Sequence, residues 1–340
     1  MEANNVIEIR PSVSIQQTAG EVIDKYIDLP KRKYKSSPFI EANTQQVDLA
    51  HLRNDCICPS FSADNEKTIS HVEFIEAIHK TTKTMFKSQY VNPPEIRVSH
   101  LMSGRIPEAM NKPVKELLES EKTKFYERMA FIIQIPTFTN YAGGNELWLT
   151  IGGVRAYNKE NLFGKKTYER FQLFIGMQNT VCCNLCISTD GLKDDLKVLN
   201  VKDLQEALIQ LIKTYEYTTH IKEMDKLYST KISEKQFAQL IGKARLYQFL
   251  PKEEKTKLPV LQFNDSQFNA IAKDYYEDES FCRDSSGDIN LWKVYNLFTS
   301  ANKSSYIDSF LSRNVNALHL SCGMSNLFNG IDNKYKWFLN

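Results

Sequence analysis

A chain of 340 residues has room for one large domain or two ordinary ones, and 42% apolar with 25% charged residues is a globular composition that excludes a disordered chain. The formal net charge of +2 excludes a general polyanion-binding field, so any nucleic-acid contact has to rest on a local patch. Seven cysteines are too few, and odd in number, for a disulfide scaffold. The N-terminus lacks a basic segment followed by an apolar run, and no apolar stretch approaches the roughly 20 residues that a spanning helix needs. These features lead us to expect a reduced, cytoplasmic protein without a membrane segment.

Residues 1–38 read as a flexible arm. LPKRKYKSSPF sets Lys31, Arg32, Lys33 and Lys35 beside Ser and Pro, which is the composition either of a solvated linker or of a basic arm that holds phosphates. A helix is expected over His71–Lys87, because Ser70 and Glu73 form a capping box and Val72, Ile75, Ile78, Met85 and Phe86 keep helical spacing. Pro93 and Pro94 end it. EIRVSHLM (95–102) then reads as one strand, and Pro113–Glu119 as a short helix with proline in its first turn.

The middle of the chain reads as an antiparallel sheet. Phe125, Met129, Phe131, Ile133 and Ile135 share one parity, so that strand buries a face. Gly143, Gly144 and Asn145 form the turn into NELWLTIGGVRAYN, where Gly152 and Gly153 mark a bulge or a close backbone approach. Phe171, Leu173 and Ile175 line a third strand, and Val181, Cys183, Leu185 and Ile187 a fourth. The second half reads as helical. Asn200 caps a stripe of Leu204, Leu208, Leu211 and Ile212, Ser233 and Gln236 form a second capping box, and further helices start near Asp265, Ile289 and Ser304. The fold expected is α+β: a central antiparallel sheet with flanking helices in 39–200, and a largely helical region, 201–340, packed on the sheet.

The chemistry-bearing residues are scattered. Cys56, Cys58, Cys182, Cys183 and Cys186 imitate a zinc set. On a strand, however, Cys182 and Cys186 stand about 13 Å apart, too far for one metal, and the expectation is no metal and no cofactor. His71 and His79 are more than two helical turns apart, and the chain has no H-E-x-x-H, nucleophile elbow or Walker loop. The loop after the second long strand is more informative. Arg155, Lys159, Lys165, Lys166 and Arg170 supply five cations against Glu160 and Glu169, with Tyr157, Phe163 and Tyr168 interleaved. Cations that track a backbone, beside rings that stack on bases, are what single-stranded nucleic acid requires. An exposed hairpin with its aromatics on its own sheet is the competing reading. The helix within 232–249, carrying Lys235, Lys243 and Arg245, is a second basic candidate beside its reading as an ordinary solvated face.

FIEANT (39–44), TISHVEFIEAI (68–78), PEIRVSH (94–100), GRIPEA (104–109), YERMAF (126–131), LTIGGVRAYN (149–158), VCCNLCISTDG (181–191), QFAQLIGK (236–243) and ANKSSYIDSFL (301–311) resemble the bacterial domain of unknown function family 3871. QNTVCCN is more distantly similar to a phrase of the phage- and plasmid-associated family 932. The resemblance implies a setting on mobile, conjugative or phage-like DNA and supplies no catalytic residues.

Three functions follow. The first is a non-enzymatic protein that binds or anneals single-stranded DNA, on a plan like that of the phage Erf and Sak proteins and with homo-oligomers in view. Arg155, Lys159, Lys165, Lys166 and Arg170 would hold phosphates, and Tyr157 and Tyr168 would stack bases. The second is an interaction factor that meets host or element-encoded proteins. The third is a metal-dependent enzyme whose site is assembled from distant residues.

Overall fold

A computed structural model describes residues 37–56, 68–109, 111–159 and 168–340. The basic arm, Cys58, Lys165 and Lys166 lie outside the described residues. The fold is α+β, with a curled antiparallel sheet in the first half and a mostly helical second half.

After β1 (Gln45–Val47) and α1 (Leu49–Asn54) comes α2 (His71–Met85). Ser70 caps α2, its side chain accepting from the Glu73 amide while Glu73 accepts from the Ser70 amide, as the sequence requires. β2 (Glu95–Val98) and β3 (Leu101–Arg105) replace the single strand expected over 95–102. The Ser99 amide donates to the Arg128 carbonyl at this corner, and β3 leaves the sheet to pair with β4 (Lys122–Tyr126). Phe125 therefore belongs to that separate ribbon. The helix expected at 113–119 is two 3₁₀ turns, Val114–Glu116 and Glu119–Glu121.

β5 (Arg128–Ala142), β6 (Asn145–Ala156) and β7 (Glu169–Asn179) form the centre of the sheet. The strand order is β1-β2-β5-β6-β7, and β7 pairs along its outer edge with both β8 (Leu185–Cys186) and β9 (Leu192–Val198). Gly143 and Gly144 both have positive φ (55° and 79°), the conformation of the tightest hairpin turns. At Gly152 and Gly153 the register runs unbroken, so the pair marks close approach and not a bulge. A Cβ on Gly152 would stand 2.2 Å from the Phe131 carbonyl oxygen, and one on Gly153 2.5 Å from the Phe74 ring. The register shift falls instead between Ile135 and Thr139.

The fourth strand is shorter than its alternation suggests. Val181 and Cys183 lie in a turn, Cys183 at φ +59°, and only Leu185 and Cys186 pair with β7. The turn moves Cys182 and Cys183 off the strand assumed for the zinc argument. Among the described residues no group of three or more His, Cys, Asp or Glu is placed to hold a metal ion.

Helices cover both faces of the sheet. On one face Met129, Phe131, Ile133, Leu149, Ile151 and Leu173 meet Phe74, Ile75 and Ile78 of α2 and Leu204, Leu208 and Leu211 of α3 (Val201–Thr214) in a core that runs on through the second half. There lie α4 (Tyr217–Ser229), β10 (Lys231–Ile232), α5 (Glu234–Tyr247), α6 (Lys252–Lys255), α7 (Asp265–Glu277), β11 (Ile289–Asn290), α8 (Leu291–Asn302) and α9 (Ile307–Phe328). On the other face Ala130, Ile132, Val154 and Phe174 pack against Ile307, Phe310, Leu311 and Val315 of α9. Among the described residues no helix is long and apolar enough to cross a membrane.

Candidate nucleic-acid interface

The β6–β7 hairpin begins in a buried polar cluster. Arg155, at the end of β6, is completely buried. Its Nη2 donates to Glu169 Oε2 at 2.5 Å, and its Nη1 to the Ile69 carbonyl at 2.7 Å. Glu169 also accepts from the Ile69 amide, at 3.1 and 3.2 Å from its two oxygens. The guanidinium lies 4.1 Å from the Phe171 ring centroid and 4.7 Å from that of Tyr157. Tyr157 is buried too, stacked on His71 at 4.6 Å. Burial, followed by the charge of Arg155, pushes the His71 imidazole down to about 3, so it is neutral and donates Nε2–H to the Tyr126 carbonyl.

Two of the seven candidate residues therefore do not face solvent. Arg155 and Tyr157 hold the base of the hairpin, because a cation this deep needs its carboxylate and its rings more than any ligand in water. From the sequence alone they read as an exposed cation and ring at a strand end. What separates the two cases is Glu169 across the hairpin and the Ile69 backbone, far away in the chain.

Lys159, Tyr168 and Arg170 remain. Lys159 donates to the Asp308 carbonyl at 3.0 Å, Tyr168 is 55% exposed, and Arg170 is half exposed with Asp195 3.9 Å away. Directly opposed residues of antiparallel strands share a face. Arg128 of β5 opposes Ala156, Gln172 of β7 opposes Val154, and Arg170 opposes Lys197 of β9. Arg128, Arg170 and Lys197 thus stand on one face at one end of the sheet, where strands are about 4.8 Å apart. A cleft of about 250 Å³ opens there, floored by Val154, Ala156 and Phe171 and rimmed by Lys159, Arg170 and Gln172 with Asp194 and Asp195.

Besides Lys197, two more residues that the sequence did not single out join this surface. The Arg128 guanidinium lies 6.0 Å from the ring of Tyr306, which is 66% exposed, and 4.0 Å from a carboxylate oxygen of Asp308. Arg128 lies just beyond Tyr126 in a strand that otherwise reads as core, and Tyr306 is 178 positions further on. Only the packing of α9 brings them together.

Two of the three cations of the second basic candidate make contacts within the chain, while Lys235 is exposed. Arg245 of α5 makes two hydrogen bonds to Asp265, at 2.6 and 3.2 Å, and Lys243 lies 4.8 Å from the Trp337 ring.

The model of the family described as "Domain of unknown function, B. Theta Gene description (DUF3871)" matches residues 22–339, all but the first 21 residues and the last one. The chain belongs to this family. The match spans both the sheet and the helical half, so family membership rests on the whole fold and not on one motif. No curated protein and no solved structure matches the chain.

Proposed function

We propose that this member of the family binds single-stranded nucleic acid along the sheet end that carries Arg128, Arg170 and Lys197. The observation that supports the reading is the row itself: three cations on one face of β5, β7 and β9, with Lys159 beside them and the exposed rings of Tyr168 and Tyr306 nearby. Arg170 and Lys197 are neighbours across one strand spacing and Arg128 stands two spacings from Arg170, beyond Ala156, a span along which a phosphate backbone can lie, and exposed tyrosines supply faces on which any base stacks.

Glu127, Asp194, Asp195 and Asp308 sit among these cations, Glu127 3.4 Å from the Arg128 guanidinium and Asp195 3.7 Å from Lys197. The Arg170–Asp195 contact, 3.9 Å long and half exposed on both sides, is of a kind worth well under about 1 kcal/mol. A phosphate therefore displaces that carboxylate at little cost. Lys159 is held by a carbonyl, which leaves its charge available. A setting on mobile DNA belongs to the same proposal, because transfer and recombination of such elements expose single strands.

The test is fluorescence anisotropy with a labelled oligo-dT and its duplex counterpart at 50 and 200 mM salt. Three phosphate contacts on a single strand give a salt slope of about −2, so affinity should fall roughly 20-fold over that range. Arg170→Glu with Lys197→Glu should abolish most of the binding. Undiminished affinity in that double variant refutes the site.

A further inference from the structure

The end of α1 brings a thiol, an imidazole and a carboxylate together. His51 lies within the helix, Asp55 is its C-cap residue and Cys56 follows. His51 Nδ1 is 2.8 Å from Asp55 Oδ2. An ionised carboxylate only accepts, so Nδ1 carries the ring proton and donates to it. That leaves the lone pair of Nε2 on the other side of the ring, with the Tyr126 hydroxyl at 3.0 Å and Cys56 Sγ at 3.9 Å. Gln45 Nε2 donates to the same hydroxyl at 3.1 Å and holds the phenol in place from β1. A nucleophile, a base and the group that orients the base thus stand next to one another.

These side chains are open to solvent. Those of His51 and Asp55 are 37% and 63% exposed, and Cys56 is half-buried. Cys182 and Cys322 differ, because burial pushes both thiols up to about 12. Burial, followed by the charge of Asp55, raises the Cys56 thiol as well, with Lys124 opposing. Cys56 therefore keeps its proton at neutral pH, and its reactivity depends on a base at hand to take that proton, which is the position of His51 Nε2.

The surroundings also select the electrophile. An ester or amide needs hydrogen-bond donors aimed at an oxyanion in addition to nucleophile and base. Here the Gln45 amide donates to Tyr126 and the phenol to Nε2, so both donors are committed. Disulfide exchange needs only a thiolate with access to the sulfur it attacks.

We propose that Cys56 is a modification site for small disulfides of the glutathione disulfide class, with His51 as its base. The Cys56 S–H proton passes to His51 Nε2, and Sγ attacks one sulfur of the disulfide. The new Sγ–S bond forms as the old S–S bond breaks, and the departing thiolate takes the proton from Nε2. The products are a mixed disulfide on Cys56 and one free small thiol; the Cys56 sulfur is oxidised and the departing sulfur reduced. While Nε2 holds the proton, the Tyr126 oxygen accepts from it.

The test follows the full chain, carrying Cys58→Ser so that no neighbouring thiol exchanges with the adduct, during incubation with glutathione disulfide at pH 7. Samples are quenched with acid and the adduct on each cysteine is quantified by peptide mass spectrometry. Cys56 should be modified first, and about tenfold faster than in the same chain unfolded in urea, a comparison that needs no variant at position 51. His51→Gln should slow Cys56 by about the same factor, less than the full effect of a general base because a free thiol already has a small thiolate fraction. Cys282, also half-buried, should react at one rate in both proteins, which shows that the fold is unchanged. Equal rates for Cys56 in the folded and unfolded chain, an undiminished rate in His51→Gln, or Cys183 or Cys282 reacting ahead of Cys56 would each overturn the proposal.

Discussion

Replacing Arg155 by methionine takes the guanidinium from Glu169, whose side chain is 5% exposed and which also accepts from the Ile69 amide. Breaking a buried ion pair from one side costs about 3–5 kcal/mol, whereas replacing both partners by apolar residues of similar volume is close to neutral. The contact of the guanidinium with the Phe171 ring puts the single variant at the upper end of that range. Arg155→Met should therefore lower stability by about 4 kcal/mol, close to a thousandfold in the folding equilibrium. Arg155→Met with Glu169→Leu should recover most of it. Urea unfolding followed by tryptophan fluorescence, with the midpoint and slope compared for wild type, both single variants and the pair, measures this coupling. A loss below about 1 kcal/mol in Arg155→Met, or a double variant no more stable than the single ones, would refute the assignment of Arg155 to the fold.

Further expectations follow from other parts of the structure. Gly152→Ala puts a methyl 2.2 Å from the Phe131 carbonyl oxygen and should cost at least about 1–3 kcal/mol by thermal unfolding. Trp292 donates to Asn145 at 2.8 Å and lies against Gly143, so Asn145→Ala should cost about 1 kcal/mol and loosen the β5–β6 turn, read as faster amide exchange at Gly143 and Gly144. Burial lowers the His220 imidazole from 6.5 to about 4, so between those values the unfolded chain binds the proton and the folded one does not. Stability should accordingly be intact above pH 6.5 and decline as pH falls toward 4. Between pH 7.5 and pH 5 this one group contributes a loss of about 2 kcal/mol, and His220→Gln should flatten the pH dependence of the urea midpoint by that amount. An equally steep dependence in the variant would contradict the burial of a neutral imidazole.

Features fixed by neighbours in sequence could be read before the fold was known. The Ser70–Glu73 and Ser233–Gln236 capping boxes, the Asn200 cap and the glycine turn at 143–144 all rest on residues within one turn of one another. What escaped depends on distant partners. Arg155 reads like a solvent-facing cation because its carboxylate is across the hairpin and its second acceptor is the Ile69 backbone. β9 escaped because LKDDLKV, with Lys193, Asp194, Asp195 and Lys197 all exposed, has the composition of a charged edge strand, which resembles a loop. The strand expected at 181–187 mostly dissolved, because alternation cannot foresee a turn through a residue at positive φ such as Cys183.

The most direct test of the sheet-end surface is photo-crosslinking to a single strand carrying 5-iodouracil, with the modified residue located by mass spectrometry. Adducts are expected on Tyr168 or Tyr306, and they should disappear in 0.5 M salt and in Arg170→Glu with Lys197→Glu. Adducts confined to other parts of the chain, or none at protein concentrations where the strand is bound, would contradict it.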